Sequence, residues 1–177
     1  STDFVGLAIE AVSGQRLDAD VTWNAPPDPA WLAARLLAAL GAVHDLGLLH
    51  RDLKAENILV DVQTGRPVII DFGLSAPPGE GDLAGTPRAM APELFQGGEA
   101  SVASDLWAVG LVLAEVLGRR PVFSGGDAQA LSAERQAFAG LSAEVGQQIG
   151  DDAVVGLIDR LLDPDPARRP QSARLAL

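Results

Sequence analysis

The sequence contains no cysteine and no tyrosine, one methionine and one lysine, Lys54. Without cysteine there is no disulfide and no thiolate-bound metal or redox centre to hold the chain together or carry its chemistry. With one lysine, positive charge rests on arginine, and 13 Lys+Arg against 24 Asp+Glu leave a net charge of −11. An acidic chain is a poor partner for nucleic acid or an anionic membrane, whereas a basic protein substrate is tolerated. Long hydrophobic runs are lacking too. The most apolar stretch, "SDLWAVGLVLAEVL", is too short for a membrane span and holds Glu115. The first residues, "STDFVGLAIEAVSG", have neither the basic region nor the cleavage site of a signal peptide, so the expected location is the cytoplasm. Repeats and low-complexity tracts are absent from the sequence.

What is present suits one ordinary domain: 177 residues, 47% of them apolar, enough for a sizeable core. Phe4 to Val12 reads as a strand closed by a glycine turn. Asp28 before Pro29 reads as a helix start, and Leu32, Leu36, Leu37, Leu40 and Val43 continue it at helical spacing to about Leu46. Two short apolar runs, Ile58–Val60 and Val68–Ile70, joined across "VQTGR", predict a hairpin. Residues 74–88 read as an irregular loop, and Ala103–Leu117 as a helix buried all round. Further helices are predicted near Ala128–Leu141 and Asp152–Leu162, and "SARLAL" begins a last one.

The densest chemistry lies in "HRDLKAEN", residues 50–57. Phosphoryl transfer needs a group to take the attacking hydroxyl's proton, oxygen ligands for a divalent cation, and positive charge at the phosphoryl group. Asp52 supplies the proton acceptor, Lys54 the charge, and Asn57 one metal ligand, while the hairpin delivers Asp71 as the second. By contrast, His44 reads as structural, Trp23, Trp31 and Trp107 as core or groove filler, and Glu56 and Asp163–Asp165 as solvated positions.

With "HRDLKAEN", "DFG" at 71–73, "GTPRAMAPE" at 85–93, "SDLWAVG" at 104–110 and "RRP" at 168–170 in this order, the sequence resembles the eukaryotic-like, bacterial-type protein kinases. The lysine two residues after Asp52 resembles the serine/threonine branch. The scarcity of lysine beside abundant Ala, Gly, Pro, Arg and Asp resembles GC-rich bacterial coding. The resemblance implies an α+β, mainly α fold: the kinase-like C-terminal lobe, a helical bundle around a buried central helix with a small catalytic hairpin. It implies ATP and Mg²⁺ as cofactors and a protein with Ser/Thr hydroxyls as substrate.

Residue by residue, the resemblance makes Asp52 the catalytic base, Lys54 the γ-phosphate contact, Thr86 the bridge between them, and Asn57 and Asp71 the Mg²⁺ ligands. Glu10 and Val12 align with the hinge that holds adenine, Ile9 with the gatekeeper, and Leu59 with the residue beneath the adenine ring. His50 and Phe72 resemble members of the hydrophobic spine, and Gly73 completes the "DFG" turn. Glu93 is expected to pair with Arg169, and Asp105 to accept backbone N–H groups of the catalytic loop. Arg51 is the residue that pairs with a phosphorylated activation loop in such proteins. Between Phe72 and Thr86 the only hydroxyl residue is Ser75, which leaves two readings: Glu80 or Asp82 stands near Arg51 and partly replaces the phosphate, or the glycine-rich loop is unpaired and disordered.

The family's glycine-rich loop, strand lysine and helix glutamate have no room in the nine residues before Glu10. The expected organisation is therefore a partial kinase domain: residues 1–12 as the last small-lobe strand and hinge, 13–177 as the large lobe. The missing N-terminal lobe is an implied partner, and the isolated chain is expected to be inactive. Two alternatives are a non-catalytic kinase-like interaction scaffold and a small-molecule phosphotransferase of related fold. The "APE" segment with the Glu93–Arg169 pair argues against the second.

Overall fold

The computed structural model describes residues 14–17, 28–61, 63–79 and 86–176. The strand expected over Phe4–Val12, together with Ile9, Glu10, Val12 and Trp23, lies outside them.

Helix α3, Val102–Gly118, is the organising element. Ser101 and Ser104 form a reciprocal capping box, each hydroxyl accepting from the other's backbone N–H. The sequence that follows is apolar on every face, and the helix is correspondingly buried from Ser104 to Ala114. It ends at Arg119, which takes the left-handed conformation with φ 53°. Gly110 allows close helix packing: a Cβ there would lie 2.8 Å from the Cβ of Leu161.

Helix α1, Pro29–Asp45, starts where its capping signal places it, with the Asp28 carboxylate accepting from Trp31 N at 2.7 Å and Pro29 in the first turn. Its Leu32, Leu36, Leu37, Leu40 and Val43 are buried. Next come β2 and β3, Ile58–Asp61 and Pro67–Ile69, which pair antiparallel with Ile58 opposite Ile69. Strand β1, Gly14–Arg16, pairs with the other edge of β2. The hairpin turn is tied by the Asp61 carboxylate, which accepts from Gln63 N, Thr64 N and the Thr64 hydroxyl. The expected second strand, Val68–Ile70, is shifted by one residue. The ladder closes at Ile69 because the backbone turns into the left-handed region at Asp71, φ 63°.

In the second half the chain forms α2 (Pro92–Phe95), α4 (Ala128–Gln136), α5 (Ala143–Ile149), α6 (Asp152–Leu161) and α7 (Ala173–Ala176). The helix expected to run from Ala128 to Leu141 stops at Gln136. Beyond it Phe138 meets Phe123 edge to face, and Gly140 takes φ 124°, which no helix accommodates. Helix α5 has only Val145 and Ile149 as buried residues, too weak a pattern to read from sequence. Trp107 of α3 is fully buried and stacks on Phe123 at 5.8 Å, so the core is continuous from α1 through α3 to α6. The architecture is mainly α with a three-stranded sheet. No helix among the described residues is long and apolar enough to cross a membrane.

Candidate active site

The loop at 50–57 hangs from α3. Asp105, 1% exposed, accepts from His50 N at 2.8 Å and Arg51 N at 2.9 Å, and its Oδ2 lies 2.9 Å from His44 Nε2. These bonds hold Arg51 in the left-handed region, φ 70°, a conformation that a β-carbon disfavours. The next residue, Asp52, is itself buried and meets Lys54, Asn57 and Thr86. His44, read from the sequence as structural, is so here, and its partner Asp105 is what the sequence did not show. Its position at the end of α1 gives it a structural look, and only the packing of α1 on α3 puts it beside Asp105.

Asp52 Oδ2 accepts from Lys54 Nζ at 2.8 Å, and Asp52 Oδ1 accepts from Thr86 N at 2.8 Å. Lys54 Nζ also donates to the Thr86 hydroxyl at 2.7 Å, closing a ring of three residues drawn from two distant segments. Asn57 donates from Nδ2 to the Asp52 carbonyl at 2.8 Å and to its carboxylate at 3.2 Å. Burial pushes the Asp52 carboxyl upward, but the hydrogen bonds from Lys54 and Thr86 outweigh it and hold the group below the ordinary aspartate value of 3.8. A carboxylate so held is ionised at neutral pH and can take a proton from a hydroxyl brought against it.

The hairpin brings Asn57 and Asp71 together, since Ile70 N donates to the Asn57 carbonyl at 2.9 Å. Asp71 is exposed, and its Oδ1 accepts from Gly73 N at 3.3 Å. A Cβ on Gly73 would crowd that oxygen at 3.2 Å. With its N–H groups committed to Asp52, Asn57 has its side-chain oxygen left to offer. Among the described residues no group of three or more His, Cys, Asp or Glu could hold a metal alone. The donor set, one amide oxygen and one carboxylate, fits a hard cation that completes its shell with water and phosphate oxygens.

The remaining expected positions fall around this centre. The His50 ring meets Phe72 edge-on at 5.1 Å, with Nε2 3.1 Å from the Ile70 carbonyl. The Ser75 hydroxyl donates to the His50 carbonyl at 3.4 Å. Leu59 is half-buried on β2, opposite Arg16 of β1 and Val68 of β3. Arg51 reaches the following loop, donating from Nη2 to the Pro77 carbonyl at 2.9 Å. Glu80 and Asp82, expected opposite Arg51, lie outside the described residues, as do the hinge positions Ile9, Glu10 and Val12.

Arg169 is buried and its guanidinium forms a two-bond fork with Glu93, at 2.7 and 2.8 Å. It also donates to the carbonyls of Asp163, Ala103 and Pro164, so every N–H of its head group has an acceptor. Asp163 and Asp165, read as solvated, thus have defined local work: Asp163 gives its carbonyl to Arg169, and Asp165 accepts from Ala167 N.

Comparison with known proteins agrees with this geometry. A family profile described as the protein kinase domain matches residues 3–176. The chain is 33% identical over 187 residues to the serine/threonine-protein kinase PkaA of Streptomyces coelicolor, covering 98% of this chain and 33% of PkaA. It is 30% identical over 191 residues to the serine/threonine-protein kinase pkn2 of Myxococcus xanthus, covering 98% of this chain and 23% of that protein. It is 37% identical over 140 residues to a probable cAMP-dependent protein kinase catalytic subunit of Encephalitozoon cuniculi, covering 74% and 43%. The chain thus spans a third or less of the two bacterial relatives, and the part it shares with them is the part that carries the Asp52–Lys54–Thr86 ring. Motif order, local geometry and this match across nearly the whole length converge: the chain belongs to the protein kinase domain family, among the serine/threonine-protein kinases.

Proposed function

We propose that these residues form the large-lobe half of a phosphotransfer site that moves the ATP γ-phosphate to a Ser/Thr hydroxyl of a protein substrate. The observation that carries this reading is the Asp52 carboxylate held between Lys54 Nζ and Thr86 N, each at 2.8 Å. Asp52 accepts the proton of the incoming hydroxyl. Lys54, already positioned by Thr86, presents its charge where the transferring phosphoryl passes. Asn57 and Asp71 hold the divalent cation, which when bound neutralises charge on the phosphate oxygens. The family resemblance assigns Leu59 to the face of the adenine ring, and gives Ile9, Glu10 and Val12, outside the described residues, the role of the hinge. His50 and Phe72 support Asp71 from below, and Asp105 fixes the loop that carries Asp52.

Lys54 is the only lysine, so the strand lysine that the family places on the α/β-phosphates has no counterpart in these residues. The chain by itself therefore binds ATP–Mg²⁺ weakly and transfers phosphate poorly, and works with a small lobe supplied to it. The same observation favours a second reading, a kinase-like scaffold without catalysis. One experiment separates them. Phosphate transfer from labelled ATP to an acceptor protein is measured for the chain alone and for the chain joined to a kinase small lobe. Transfer by the joined protein, lost by a factor of about 10² or more in Asp52→Asn, supports the catalytic reading. Absence of transfer in the joined protein, or an unaffected Asp52→Asn, removes it.

A further inference from the structure

Among the described residues one other arginine besides Arg169 is buried. Arg135, on α4, is 0% exposed, and its environment is the reverse of that of Arg169. Arg169 has five acceptors for its five N–H donors. Among the described residues Arg135 has one hydrogen bond, from Nη2 to the backbone carbonyl of Arg88 at 2.6 Å, and its buried Nε and Nη1 have no hydrogen-bond partner there. The guanidinium lies instead between two aromatic faces, 5.2 Å from the Phe95 centroid and 4.9 Å from that of Phe123. Burial pushes it down to about 10, against the attraction of Glu115 and Glu134. As core filler this is a poor choice, because an apolar side chain of similar length would fill the same slot without burying unpaired donors. What arginine adds is its charge over Phe95 and Phe123, its attraction to Glu115 and Glu134, and this one directional hydrogen bond.

That bond lands at an informative place. Arg88 is two residues beyond Thr86, and the stretch between them is pinned at its start by the ring with Asp52 and Lys54. Arg88 and Ala89 form one wall of a cavity of about 220 Å³, whose lining includes Lys54, Glu56, Thr86 and Glu115. Asp52 itself does not line this cavity, but Lys54 and Thr86, both hydrogen-bonded to its carboxylate, do, so a chain bringing a hydroxyl within hydrogen-bond reach of Asp52 has this wall beside it. The two buried arginines also share one aromatic stack. Arg135 lies over Phe123, Phe123 stacks on Trp107 at 5.8 Å, and Arg169 lies over Trp107 at 5.0 Å. One arginine holds the carbonyl at residue 88 and the other the carboxylate at residue 93, so the segment is fastened at both ends to a single rigid column.

We infer that Arg135 is a positioning residue for the acceptor substrate: through the Arg88 carbonyl it holds the 86–90 wall in the shape against which the substrate chain lies. The inference deepens the phosphotransfer reading, and its test has one arm that does not depend on that reading. In the 177-residue chain, hydrogen exchange is followed for wild type, Arg135→Met and Arg135→Lys. Met keeps the packing and removes the donor, whereas Lys keeps a donor. The expected result is exchange about tenfold faster over residues 86–91 in Arg135→Met, matching the loss of one charge-assisted bond. Residues 50–57 and α3 are unchanged, and Arg135→Lys restores much of the protection. Equal exchange over 86–91 in all three proteins overturns the inference, as does a uniform rise across the whole chain in both variants.

In the chain joined to a small lobe, with histone as acceptor, Arg135→Met is expected to raise the KM for histone about tenfold while the KM for ATP stays within about twofold. Equal changes in both constants, or in neither, overturn the substrate role. If the wild-type protein transfers no phosphate at all, the phosphotransfer reading fails, and the exchange arm alone decides whether Arg135 holds the wall.

Discussion

Asp52 sits between two opposing influences, burial that raises its carboxyl and hydrogen bonds from Lys54 and Thr86 that lower it, and the second prevails. A carboxyl depressed in the folded state contributes stability above its unfolded value, and that contribution is lost as pH falls through the folded value. Lys54→Met removes the first of the lowering contacts and leaves burial in place. The expected result is an upward shift of the Asp52 titration, followed by carboxyl ¹³C NMR on the isolated chain. The acid side of the stability profile should move to higher pH with it. A titration that stays where it was would mean that Lys54 does not control Asp52. Gly73 acts at the same scale. It is the residue that can follow Asp71 closely without a side chain pressing on the Asp71 oxygen, so the "DFG" glycine here has a steric reason rather than a purely conformational one.

The unit of function at the element scale is a helix end. The first turn of α3 presents Asp105, whose two carboxylate oxygens take the backbone N–H groups of His50 and Arg51 while His44 of α1 closes on Oδ2. Removing the carboxylate strands two N–H groups, each at a cost of about 1–3 kcal/mol if it finds no other acceptor. The helix itself keeps its Ser101–Ser104 capping box. Asp105→Ala should therefore speed hydrogen exchange of His50 and Arg51 by about tenfold or more while α3 keeps its protection. Unchanged exchange over residues 50–57 would show that the loop stands without its anchor. The same element scale explains the hairpin: Ile70 bonding to Asn57 makes neighbours of two oxygen donors that are fourteen positions apart in the numbering.

For the molecule as a whole, the Glu93–Arg169 pair joins residues 76 apart and ties the segment after the candidate site to the far end of the chain. Arg169 is fully buried and Glu93 is 17% exposed, so Glu93→Ala leaves a charge without compensation in the core. Such a break costs about 3–5 kcal/mol when both partners are buried, and the exposure of Glu93 puts the expected loss at the lower end of that range. Urea unfolding checks it through the midpoint at constant slope. A loss under about 1 kcal/mol would class the pair with ordinary surface ion pairs. Since the Ala103 carbonyl also binds Arg169, the loss should be cooperative, with α3 and the 86–93 segment loosening together.

Much of this was legible in the sequence because the signals are local. The Asp28–Pro29 start of α1, the leucine spacing behind it and the all-apolar stretch of α3 follow from short-range sterics and hydrophobic periodicity. The order of "HRDLKAEN", "DFG", "APE" and "RRP" carried the family likeness and the choice of Asp52, Lys54, Asn57 and Asp71. Where local signals were weak, the reading failed. A helix drawn through Gly140 did not survive that residue's φ, and α5, with two buried apolar residues, gave no signal to read. The tertiary structure alone decided which polar groups meet. His44 becomes the third group on Asp105 only because α1 packs on α3. Arg135 looks in sequence like any surface arginine of a polar helix, yet folding buries it against Phe95 and Phe123 with the Arg88 carbonyl as its one acceptor among the described residues. The physical reason is range: helix and turn propensities act over a few residues, whereas a hydrogen bond between residues 47 apart exists only once the core has brought them together.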